Sequence, residues 1–146
     1  MKTPLLAPVS GPAYPVAVRL GASLLTLLIV VAGAGAFDAL AQQPPRAWLL
    51  PGAGLAVVAG SYYFLMRSVT TIDERGIRQS GLIEKRVEWS ELRSARSAGF
   101  GTARRLLVQT ESGRFRVFFG GTPELAQAFV AIATAHPPGA AQADPR

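Results

Sequence analysis

Cysteine is absent from this chain and histidine occurs once. Without cysteine there is no disulfide, no thiolate metal site and no cysteine nucleophile. A single histidine excludes a multi-histidine metal centre within one chain. Charge is sparse as well: only 16% of the 146 residues are Asp, Glu, Lys or Arg. It is sparsest in the first half. Leu20 to Phe37 is 18 residues without a charge, and Ala47 to Met66 is 20.

What fills those runs is apolar. A bilayer core takes about 20 apolar residues in helical form, so membrane spans are expected at about 17–37 and 47–66. Asp38 to Arg46 is the whole linker between them. A connection that short forces an antiparallel hairpin, here residues 16–66. Gly52, Ala56 and Gly60 recur every fourth residue in the second run. Such a stripe lets another helix approach closely. The expected neighbour is the first span, and the alternative is a second copy or a larger membrane complex. Trp48, Tyr62 and Tyr63 fall near the span ends, where amphipathic rings prefer to sit.

Basic flanks stay on the cytoplasmic side. Arg19 precedes the first run and Arg67 follows the second, while the linker carries Arg46 balanced by Asp38. The expected topology is therefore multi-pass in the cell inner membrane, with both termini cytoplasmic. A rival reading exists for the first run. Ala39-Leu40-Ala41 before Gln42 has the small-x-small form of a signal-peptidase site. An 18-residue run exceeds the 7–15 residues usual for a signal core.

The flanking segments read differently. Residues 1–15 hold Pro4, Pro8, Pro12 and Pro15, which block helix interiors, so a flexible segment is expected there. Residues 137–146 carry three more prolines and read as a disordered tail. From Ser68 the period changes. Val69 to Ile72 is β-branched, Asp73-Glu74-Arg75-Gly76 is a turn, and Ile77 to Ser80 resumes the strand. Arg86 to Trp89 alternates charged with apolar residues, which predicts a strand with a buried Trp89. Leu92 to Ser97 reads as a further strand. Arg105 to Thr110 and Arg114 to Phe119 flank Glu111-Ser112-Gly113, a hairpin. On the last strand Phe115, Val117 and Phe119 share one face. Arg114, Arg116 and Phe118 share the other, and the two arginines are expected to be exposed. Thr122-Pro123-Glu124 then opens a helix with a cap, a proline at its first position and a favourable charge. Its apolar stripe is Leu125, Phe129 and Ile132, with Ala128 and Ala133 beside it.

About six short antiparallel strands followed by one amphipathic helix resemble a pleckstrin-homology-like (PH-like) half-open barrel. The residues that carry the resemblance are Thr71 to Ile77, Gly81, and Val87-Glu88-Trp89-Ser90-Glu91-Leu92. They resemble the small bacterial PH-like domains that follow two transmembrane helices. The implied fold is a transmembrane hairpin followed by a small α+β domain at 67–136, an antiparallel half-barrel sheet plus a C-terminal helix. A full barrel of this type has seven strands, so one is either missing or supplied by a partner. The resemblance implies a binding or scaffolding module, with no catalytic residues and no lipid-headgroup motif to carry over; no cofactor or metal is expected.

The residues agree with that class. His136 precedes Pro137 and Pro138, so nothing in the sequence orients it as a base. Asp73-Glu74 suits a solvated turn. Gly99-Phe100-Gly101 lacks a following phosphate-binding lysine and reads as a loop. Residues 67–146 hold 12 Lys and Arg against 8 Asp and Glu, a net of +4. The candidate surface comprises Lys85, Arg86, Arg104, Arg105, Arg114 and Arg116. The expected partners are the lipid bilayer and a membrane or cytoplasmic protein, with anionic lipid as the alternative. A footprint this modest, without aromatic–basic repeats, argues against nucleic acid.

Overall fold

The structure is a computed structural model and describes residues 8–81 and 83–138. It divides into two compact units. Val16–Met66 forms one, and the segments on either side of it, up to Pro15 and from Arg67, together form the other.

The first unit is the hairpin. Helix α1 runs Val16–Gly35, a short helix α2 Phe37–Ala41, and α3 Leu49–Arg67 after a 3-10 turn at Pro45–Trp48. At 1.5 Å per residue, the 20 residues of α1 reach about 30 Å, the depth of a hydrocarbon core. Both long helices are apolar enough to cross a membrane. Their packing is sparse. No residue of α1, α2 or α3 is buried. The rings of Phe37 and Trp48 meet edge to face beside the loop, with centroids 5.4 Å apart. At the other end Arg19 Nε donates to Met66 Sδ at 3.4 Å, and the hydroxyls of Ser23 and Tyr62 lie 3.0 Å apart. Between these ties lies an open apolar cleft of about 620 Å³, lined in part by Ile29, Gly33, Trp48, Gly52 and Leu55. A Cβ added at Gly52 or Gly60 would meet nothing within 4 Å. The small-residue stripe therefore does not pack on α1, contrary to expectation.

The second unit holds seven strands among the described residues. β1 (Val9–Pro12), β2 (Val69–Ile72), β3 (Gly76–Gln79) and β4 (Lys85–Glu88) form one antiparallel sheet in that order. β5 (Leu92–Phe100), β6 (Ala103–Thr110) and β7 (Phe115–Gly120) form a second. Helix α4, Pro123–Ala135, follows. The seventh strand comes from upstream of the hairpin. Val9 to Pro12 pair with Ile72 to Val69, in a segment whose prolines suggested a flexible lead-in. The reason is positional: an edge strand tolerates proline. Ala13 beyond it is fully buried, and its N–H donates to Ser68 O at 2.9 Å. The expected tail falls mostly outside the described residues.

Local chemistry fixes the turns. Asp73 Oδ1 accepts the N–H groups of Arg75 at 2.8 Å and Gly76 at 3.0 Å, bringing β2 back into β3. Gly113 turns β6 into β7 with φ +77°, a conformation open to glycine. Thr122 Oγ1 accepts from Leu125 N at 3.3 Å and caps α4. Two strand assignments shift. β5 continues through Gly99 and Phe100, so that segment is strand before it is turn. Trp89 opens a 3-10 turn and is only half-buried. Its Nε1 donates to Asp73 O at 2.9 Å, so it clamps the β2–β3 turn from the rim of the core.

The core lies between the two sheets and α4. Ile72, Ile77 and Val87 come from the first sheet, Leu106, Val108 and Phe118 from the second, and Leu125, Phe129 and Ile132 from the helix. Phe118 and Phe129 are the largest fully buried side chains. Burying a side chain of that size contributes about 1.5–3 kcal/mol.

Candidate functional site

The last strand faces the opposite way from expectation. Phe118 is fully buried, whereas Phe115 is 72% exposed and Val117 and Phe119 are half-buried. Gly120 explains the choice. A Cβ there would come within 2.8 Å of Phe129 Cε2, so only the even-numbered face lets α4 approach. Arg116 therefore shares the inner face with Phe118 and sits half-buried opposite Val108. Arg114 is exposed, as expected, at the β6–β7 turn.

β7 is an edge strand of its sheet, yet side chains satisfy part of its free backbone. Thr70 Oγ1 donates to Phe119 O at 2.6 Å, and Phe119 N donates to Gln79 Oε1 at 3.1 Å. Lys85 Nζ donates to Val117 O at 3.2 Å. Three side chains of the first sheet thus close the gap to the second without a backbone ladder. This accounts for two of the buried polar residues, Thr70 and Gln79, since an unpaired buried polar group is costly. It also occupies Lys85.

The six basic residues do not form one patch. Arg86 pairs with Glu88 at 3.1 Å on β4. Arg104 lines a shallow groove beside α4, with Pro123, Ala126 and Val130. Arg114 and Arg116 are placed as above. Only Lys85 and Arg105 converge: Lys85 Nζ lies 5.8 Å and Arg105 Cζ 5.5 Å from the Phe119 ring centroid. Tyr14 stacks on the same ring, centroids 5.4 Å apart. Cation–π contacts of this kind are worth about 0.5–1 kcal/mol at exposed sites.

That convergence lies on the outer face of the β5–β7 sheet. Register places Arg105 opposite Phe119, Leu107 opposite Val117 and Gln109 opposite Phe115. On the other side Arg96 is opposite Leu107, and Ala98 opposite Arg105. Phe100 closes that edge, 93% exposed. The strand positions on this face contain no Asp or Glu. Sequence reasoning missed Arg96, Phe100 and Leu107 as members of one surface. Leu106-Leu107-Val108 is continuously apolar, so its period hides which residue points outward.

The residues with catalytic chemistry have structural roles. The Asp73 carboxylate holds a turn. His136 lies at the end of α4, and its carbonyl accepts from Ala95 N at 2.8 Å, tying the helix to β5. Among the described residues no group of three or more His, Cys, Asp or Glu gathers to hold a metal ion. No family model matches the chain, and no curated protein or solved structure matches it.

Proposed function

We propose that this chain is a non-enzymatic inner-membrane protein. Its two helices cross the bilayer as a hairpin, and its PH-like sheet unit is a binding and scaffolding module in the cytoplasm for a protein partner. The observation that carries this reading is the pairing of β1 with β2. The two strands lie on either side of the hairpin in sequence yet belong to one sheet. A chain that crosses a bilayer twice between them keeps both on the same side. The basic flanks Arg19 and Arg67 favour the cytoplasmic side. The same pairing supports retention of the first helix, because cleavage after Ala41 would remove β1 and the buried Ala13.

The protein partner is supported by the hairpin's lack of burial. A Cβ added at Gly52 or Gly60 would meet open space, and in lipid such residues favour close helix contacts. A seven-strand count, with the seventh supplied from upstream, suits the PH-like assignment. The test joins topology to capture. A reporter at position 43 should be active only outside and one at 146 only inside. The mature protein should retain its first helix. A photo-crosslinker at Gly60 in native membranes should give discrete protein adducts. An N-terminus at Gln42 defeats the topology, and adducts to lipid alone defeat the protein partner.

A second reading, in which a basic sheet face contacts anionic lipid, is favoured by one observation. Lys85 and Arg105 converge on Phe119 over a face without carboxylates.

A further inference from the structure

The outer face of the β5–β7 sheet combines three properties. It is cationic, since Arg96 and Arg105 are exposed and neither has a carboxylate partner among the described residues. It is apolar at its corners. Phe100 ends β5 and Phe115 begins β7, so the two rings lie at opposite ends of the sheet, 93% and 72% exposed. Between them Leu107 is 38% exposed. Finally, the strand positions of this face contain no acidic residue to repel an anionic surface.

We infer that this face rests on an anionic lipid surface. Arg96 and Arg105 meet headgroup phosphates, and Phe100, Leu107 and Phe115 enter the interfacial layer between headgroups and acyl chains. The inference rests on the hairpin crossing the bilayer, and it adds how the sheet unit is oriented there. Charge complementarity selects the occupant. An anionic bilayer offers negative charge across its whole plane, matching bases spread over a sheet, and aromatic rings settle at its boundary. Chain length favours it too. Only residues 13–15 join β1 to α1, and only Ser68 joins α3 to β2. At about 3.5 Å per residue, both connections are short. The face then acts as a foot, leaving the opposite side of the unit, where α4 lies, for a protein partner.

The experiment uses the full chain, since β1 belongs to the sheet. The absence of cysteine makes every introduced label unique. Ala98→Cys places a fluorophore on the face, Gln127→Cys on the exposed side of α4, and Leu55→Cys in the hairpin. Each protein is reconstituted into nanodiscs of phosphatidylcholine with or without phosphatidylglycerol, and quenching by neutral acrylamide is measured. The label at 98 should be shielded only with phosphatidylglycerol. The shielding should vanish near molar salt, where the screening length is about 3 Å. The label at 127 should stay accessible throughout. Each base at an anionic surface is worth about fivefold in the docked population, so Arg96→Gln with Arg105→Gln should reduce it about 30-fold. Arg96→Lys with Arg105→Lys should restore it, which separates lost charge from lost folding. Equal accessibility at 98 in both bilayers overturns the inference. So does shielding that survives molar salt, or shielding that appears only when a cytoplasmic protein is added. The label at 55 reports on the hairpin separately: if a lipid-soluble quencher cannot reach it, the membrane reading fails instead.

Discussion

The hairpin and the sheet unit contain similar apolar side chains and use them in opposite ways. In Val16–Met66 no Leu, Ile or Val is fully buried, and a Cβ at any of its glycines meets open space. In the sheet unit Phe118, Phe129 and Ile132 are sealed at 0% exposure, and a Cβ at Gly121 would lie 2.6 Å from Pro12 O. Apolar content therefore says little by itself about where a core will be. Strand periodicity and one amphipathic helix build a core from few residues. Continuous apolar helices leave their surface for a different solvent or a different protein.

The largest expected effect that would sharpen this contrast lies at Phe129. Phe129→Ala removes a fully buried ring at the junction of α4 with both sheets. It should cost about 3–5 kcal/mol, much of what a domain this small possesses. Thermal melting of the detergent-solubilised chain should lose its cooperative sheet transition while helical signal from the hairpin persists. An unchanged transition would place the core elsewhere. Next comes Thr70→Val, which removes the hydroxyl donor to Phe119 O but keeps the volume. An orphaned, part-buried carbonyl costs up to about 1–3 kcal/mol, read as a lower melting midpoint. If the midpoint holds, side chains do not close the gap between the sheets.

Thr122→Ala should follow, losing the cap on α4 and about 0.5–2 kcal/mol. Hydrogen exchange in the first turn of α4 should rise ahead of the other elements. The smallest effect belongs to the hairpin. Gly52→Ala and Gly60→Ala should leave the sheet unit's melting within about 0.5 kcal/mol of the parent, because nothing stands where the new methyls go. In native membranes the same changes should weaken crosslinking of this face to the proposed protein partner. A destabilised sheet unit would show that the two regions are energetically less separate than their burial implies.

Much of the architecture was legible in the sequence. The charge-free runs marked α1 and α3, Asp73 to Gly76 marked a turn, and Thr122-Pro123-Glu124 marked the start of α4. These signals are local, so the sequence carries them whole. Three features were not legible, each because it depends on distant residues. β1 is a strand only because β2 is there to pair with it; alone, its prolines argue for coil. Strand alternation on β7 divided its residues correctly but could not say which face was inner. The deciding contact is between Gly120 and Phe129, across the unit. The basic residues were counted as one set, although register and side-chain pairing send them to different faces. Only Lys85 and Arg105 of that set come together. The surface they mark also needs Arg96, Phe100 and Leu107, which no spacing rule groups.

The pairing of β1 with β2 also dictates an order of events during synthesis. Val9 leaves the ribosome long before its partner Ile72. At about 5–20 residues per second, the strand waits roughly 3–13 s with no neighbour to bond. Through that interval its amides must be kept from competing edges, whether by water, by its prolines or by a chaperone. Sheet closure is thus tied to the completion of everything between, and a ribosome stalled within the hairpin would leave β1 stranded. Among the described strands, the first made is among the last to be seated.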